Sequence, residues 1–74
     1  LGIARIAREG EDLTIVTWGA MVHTCLSAAD RVAEEGGSVE VVDLQTVSPI
    51  DWDTVFESIE KTKRLVVVQE DVPF

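Results

Sequence analysis

The chain has 74 residues, 14 of them acidic and 6 basic, for a formal net charge of −8 at neutral pH. That balance argues against nucleic acid and against an anionic membrane surface as partners, since both would be repelled, and no apolar run approaches the length of a bilayer span. The length allows one small domain, and the single cysteine, Cys25, rules out an internal disulfide and points to a reducing compartment.

In chain order, residues 3–8 repeat Ile-Ala-Arg twice and fit an edge strand or a turn of helix, of which the strand is preferred, followed by a turn at Glu9-Gly10-Glu11-Asp12 in which Gly10 can take positive φ. Residues 13–18 are almost all β-branched or aromatic and are predicted to form a strand. From Ala20 the period becomes helical: Val22, Cys25, Leu26, Ala29, Val32 and Ala33 make one stripe, with Ser27, Asp30, Arg31 and Glu34 opposite. Gly36-Gly37 closes that helix. The stretch 39–51, around which the rest is organised, begins as a near-continuous apolar run that stops at an acid, a polar cluster and a proline, and reads as a buried strand feeding a loop and then a helix. Ser48-Pro49 then forbids helix until Asp51, an N-cap candidate with Asp53 in the first turn. Trp52, Val55, Phe56 and Ile59 repeat the apolar stripe, and Lys61, Lys63 and Arg64 place positive charge where the helix dipole favours it. Residues 65–69 form the last strand, with 65–68 expected to be buried on both faces and Glu70-Asp71 closing it.

Strands alternating with helices predict an α/β fold: a three-layer, mostly parallel sheet with flanking helices. Residues 1–12 are a lead-in, and 13–74 run β-α-β-α-β. Such a sheet is incomplete and leaves an apolar edge. With no initiator Met at the start and no closing element after the last strand, the expectation is a fragment of a larger domain.

Ligands of parallel sheets sit outside the strand carboxyl ends, so residues 18–23, 43–49 and 69–71 should converge. The turn there has one glycine, Gly19, where a dinucleotide fingerprint needs three, and it lacks the Gly-Lys-Ser/Thr of a phosphate loop. His23 could reach a ligand or carry a proton, or could be a histidine with no catalytic role. Asp43 is either a perturbed acid or a carboxylate bonded to neighbouring backbone. Gln45 and Thr46 look like loop-positioning residues, and Gln69, Glu70 and Asp71 either feed a site or are solvated. Cys25, on the buried stripe, reads as a small hydrophobe, and Trp52 as core or subunit-interface packing. One His and one Cys two residues apart on a helix do not converge on a metal, and a nucleophile with a base beside it cannot be assembled. The candidate interface or strand-end pocket is therefore Gly19, Met21, His23, Gln45, Trp52, Gln69 and Glu70, with no catalytic, cofactor-binding or metal-ligating residue assigned.

Residues 10–23, then 39–51, then Lys61-Thr62 with 64–68 and Glu70, together resemble a known pattern. They are similar, in order and spacing, to the transketolase-type C-terminal domain in the beta subunit of the thiamine-dependent, decarboxylating component of 2-oxo acid dehydrogenase complexes. The resemblance implies an intact enzyme that uses thiamine diphosphate and magnesium, decarboxylates a 2-oxo acid and acylates a lipoyl group. It implies an alpha subunit, a second beta subunit and a lipoyl acyltransferase core as partners. It also implies that the cofactor lies elsewhere, between the alpha subunit and the beta subunit's N-terminal domain, while this domain serves assembly and docking. The implied location is the cytoplasm for a bacterium, or the mitochondrial matrix for a eukaryote. The Trp18-Gly19 and Val22-His23 pairs look closer to branched-chain than to pyruvate members. The chain carries Gln45 where the family usually has arginine, and Gln69 where it often has histidine, so the charge or proton those residues supply is absent. Two other readings stay open: the corresponding domain of a transketolase or deoxyxylulose-phosphate synthase, and a non-catalytic α/β interaction module.

Overall fold

A computed structural model describes residues 3–45 and 50–69. Along them lie β1 (Arg5–Arg8), β2 (Leu13–Thr17), α1 (Met21–Glu34), β3 (Val39–Asp43), α2 (Trp52–Thr62) and β4 (Leu65–Val67). The sheet order is β1-β3-β2-β4. β2 runs parallel to β3, with Leu13 opposite Val39 and Thr17 opposite Asp43, and parallel to β4, with Thr14 opposite Leu65. β1 is antiparallel to β3, with an irregularity between Ile6 and Arg8. The sheet is thus mixed but mostly parallel, as the sequence predicts.

The step from β2 to β3 and the step from β3 back past β2 to β4 run in opposite directions. Right-handed crossovers therefore place the two helices on opposite faces. Side-chain alternation along the strands then builds two cores. Ile15, Val39 and Val41 pack with Cys25 and Ala29 of α1, while Val16, Val42 and Leu44 pack with Val55 of α2 and with Ala4. β3 sits between both layers, which is why its valines are fully buried.

In α1 the inward stripe is shorter than its sequence pattern. Val22, Cys25 and Ala29 are buried, but Val32 is 40% exposed and Ala33 is exposed. A helix of 14 residues is about 21 Å long, whereas a strand of 5 residues spans about 17 Å. The last turn overhangs the sheet. It closes as expected at Gly36, where φ is +94°: the Gly36 N–H donates to the Ala33 carbonyl and the Gly37 N–H to the Val32 carbonyl, at 3.1 and 3.0 Å.

Helix α2 starts where expected. Asp51 accepts from the Thr54 N–H at 3.2 Å and from its hydroxyl at 2.6 Å, and also from the Ala4 N–H at 3.0 Å, so one carboxylate caps the helix and fastens the lead-in. The Thr54 hydroxyl, then the Ala4 and Thr54 amides, hold the Asp51 carboxyl below its ordinary value of 3.8. The stability it contributes is therefore present above that pH and lost as pH falls below it. Asp51→Ala is expected to lower the melting temperature and to speed amide exchange at Ala4 and Thr54 more than at core amides such as Val41. Unchanged exchange at those two sites would contradict the dual role.

Three expectations are corrected. The α2 stripe faces the sheet with Val55, Ser58 and Thr62, while Trp52 and Phe56 are 55% and 58% exposed and stack on each other at 5.7 Å. The helix is rotated this way because the sheet beneath it presents Thr14 and Glu40, which need polar partners. Strand β4 is not buried on both faces: Leu65, Val66 and Val67 are 42–55% exposed, because β4 is the sheet edge and the helices pack on β2 and β3. Gly10 does not take positive φ; what requires glycine there is the close approach of the β3 backbone. The expected Ser48-Pro49 stop and the closing acids Glu70 and Asp71 lie outside the described residues.

Candidate strand-end site and a buried polar network

Parallel register brings the carboxyl ends of β2, β3 and β4 to one end of the sheet. The Leu44 N–H donates to the Thr17 carbonyl and the Val68 N–H to the Val16 carbonyl, both at 3.0 Å. Trp18, Gly19, Gln45 and Gln69 therefore share that end. Gly19, at φ +64°, makes the turn into α1; Met21 is half-buried, and His23 is exposed on the first turn. Asp43 accepts from the Gln45 N–H at 2.9 Å and pairs with Arg5 at 3.2 Å, so it positions backbone as the bonded reading of this carboxylate requires. Gln45 itself sits at φ +60°, and its amide Nε2 donates to the Ile3 carbonyl at 2.9 Å. It straps the lead-in to the sheet end. Gln69 is exposed, while Thr46 and Glu70 lie outside the described residues.

Beside this end, between α2 and β4, a cavity of about 180 Å³ is walled by apolar side chains including Trp18, Leu44, Ile50, Trp52, Leu65 and Val67. Trp52 is thereby brought near the strand ends, whereas His23 stands on the opposite helix. The groove can take apolar groups and offers no proton-transfer chemistry. Among the described residues, no three of His, Cys, Asp or Glu are placed to hold a metal ion. The cation at the strand ends, Arg5, is committed to Asp43. A diphosphate needs cations or a cradle of backbone N–H groups; among the described residues this end offers the uncapped first turn of α1 and the paired Arg5.

Thr17, at the end of β2, is fully buried, and its hydroxyl has no hydrogen-bond partner among the described residues. Replacing an unsatisfied buried hydroxyl by a methyl group removes a desolvation penalty, so Thr17→Val is expected to stabilise the protein by about 1 kcal/mol in urea unfolding. A loss of stability would show that the hydroxyl has a partner.

The main polar cluster lies under α2, and the stripe reading of that helix passed over it. Glu40 of β3 is 2% exposed. It accepts from the Gly10 N–H at 3.2 Å, from the Ser58 hydroxyl at 2.5 Å and from the Lys61 ammonium. Burial alone would raise its carboxyl pKa, but the hydrogen bonds from Lys61, Ser58 and Gly10 outweigh burial and hold it below the ordinary value of 4.5. The Glu40 carboxylate in turn holds Lys61 above its usual range. An ionised carboxylate only accepts, which sets the direction of the remaining bonds. Ser58 gives its proton to Glu40, so Thr14 donates to Ser58, whose hydroxyl lies at 2.7 Å and carbonyl at 3.1 Å, while the Thr62 hydroxyl lies 2.6 Å from that of Thr14 and also reaches the Ser58 and Arg64 carbonyls at 3.2 and 3.1 Å. The chain of hydroxyls ends on a charge and binds helix, central strand and turn together. Its signal in the sequence was an acid interrupting the valines of β3, with Ser58 and Thr62 one helical turn apart.

The same fold and residues recur in known proteins. Residues 2–74 match the family described as transketolase, C-terminal domain. The chain is 60% identical over 70 residues to the pyruvate dehydrogenase E1 component subunit beta of Bacillus subtilis (strain 168), covering 95% of this chain and 22% of that protein. It is 57% identical over 72 residues to the acetoin:2,6-dichlorophenolindophenol oxidoreductase subunit beta of Cupriavidus necator, covering 97% and 21%. A solved structure, a split gene transketolase described as an inactive beta4 tetramer, superposes with a TM-score of 0.89 at 35% identity, over 92% of this chain and 23% of that one. The chain spans about a fifth of the length of the curated relatives it matches. On a match along nearly its whole length, and on the shared fold, the chain belongs to the transketolase C-terminal domain family.

Proposed function

We propose that residues 1–74 are the front part of the C-terminal domain of a beta subunit in a thiamine diphosphate-dependent 2-oxo acid dehydrogenase. The observation that carries this reading is the 60% identity to a pyruvate dehydrogenase E1 beta subunit over 95% of the chain. The intact enzyme would oxidatively decarboxylate a 2-oxo acid, with pyruvate the first substrate to test, and transfer the acyl group to a lipoyl group on an acyltransferase. Thiamine diphosphate and magnesium would be held by the alpha subunit and by other parts of the beta subunit.

The role of this stretch is then assembly. Exposed Trp52, Phe56, Leu65 and Val67 leave apolar surface on the α2 side of the sheet, of the kind that proteins bury against other protein, here proposed as further parts of the beta subunit, a second beta subunit, the alpha subunit or the acyltransferase. The strand-end residues Gly19, Met21, Gln45, Gln69 and Glu70 are proposed to shape that interface, and bacterial cytoplasm is the proposed location, in keeping with the bacterial relatives. A second reading, a subunit of an acetoin-oxidising enzyme, is favoured by the 57% identity to the Cupriavidus necator protein.

The test is the company of the native protein: an antibody raised against this stretch, used on extract of the source cell, with mass spectrometry of what co-purifies. A longer beta chain travelling with a separate alpha subunit and a lipoyl acyltransferase is expected. One long chain without those partners would instead mark a transketolase-type enzyme, and a short chain alone would mark a free interaction module.

A further inference from the structure

We draw no further inference here: the strongest candidate, the apolar groove between helix α2 and the edge strand β4 with the exposed Trp52 and Phe56 pair beside it, is an unpartnered face, and nothing in the structure shows what covers it.

Discussion

Glu40→Ala is expected to destabilise the protein by about 2–4 kcal/mol, measured as the loss of unfolding free energy in urea. The substitution removes an acceptor that three donors share and leaves the buried Gly10 N–H and Ser58 hydroxyl without it. Unsatisfied buried donors, rather than the lost ion pair, supply most of the effect. Lys61 is 41% exposed on its side chain and can turn to water, whereas the Glu40 side chain, at 3%, cannot. Glu40→Gln keeps the shape and one acceptor, so it should destabilise less. The two variants also separate charge from hydrogen bonding through pH. Because the Glu40 carboxyl is held below 4.5 in the fold, its contribution is fully present above that pH and is lost as pH falls below it. Glu40→Gln should therefore flatten the acid limb of the stability curve while leaving its shape near neutrality unchanged. A Glu40→Ala loss under about 0.5 kcal/mol, the range of ordinary surface changes, would show that the network does not hold α2 to the sheet.

Gly10→Ala is expected to be as damaging, at about 3 kcal/mol, because no side chain can move aside to admit the new methyl group. An added Cβ would lie 2.2 Å from the Val39 carbonyl carbon and 2.5 Å from the Glu40 nitrogen, both backbone atoms of the central strand. Either the turn lifts away or β3 shifts, and both break the Gly10 bond to Glu40. The two sites share that bond, so their effects should not add. The double variant Gly10→Ala with Glu40→Gln is expected to fall short of the sum of the single effects by at least about 0.5 kcal/mol, the coupling typical of residues in contact. Strict additivity, or a Gly10→Ala protein of unchanged stability, would contradict the close approach.

What could be read in the sequence were features fixed by local rules. The β-branched runs of β2 and β3, the Asp51 cap and the Gly36 closure depend on neighbouring residues, and the structure has each where the pattern placed it. The helix faces depended on what lay across from them. Counting apolar spacing made Trp52 and Phe56 inward and passed over Ser58 and Thr62, because the deciding partners, Thr14 and Glu40, come from strands 44 and 18 residues away along the chain. Likewise, four apolar residues at 65–68 look the same whether a strand lies inside a sheet or at its edge; the order β1-β3-β2-β4 decides it. At the strand ends the convergence of Gly19, Gln45 and Gln69 followed from parallel pairing. The bond from Gln45 to Ile3, across 42 residues, did not follow from any local pattern.

The most direct test of the dehydrogenase reading is turnover by the native enzyme purified with its partner chains. Thiamine diphosphate and magnesium would be added, and pyruvate, a branched-chain 2-oxo acid and acetoin offered in turn with an artificial electron acceptor. Carbon dioxide release from a 2-oxo acid, dependent on added thiamine diphosphate, is the expected result. Oxidation of acetoin with no decarboxylation of either acid would contradict it and move the assignment to the acetoin-oxidising class.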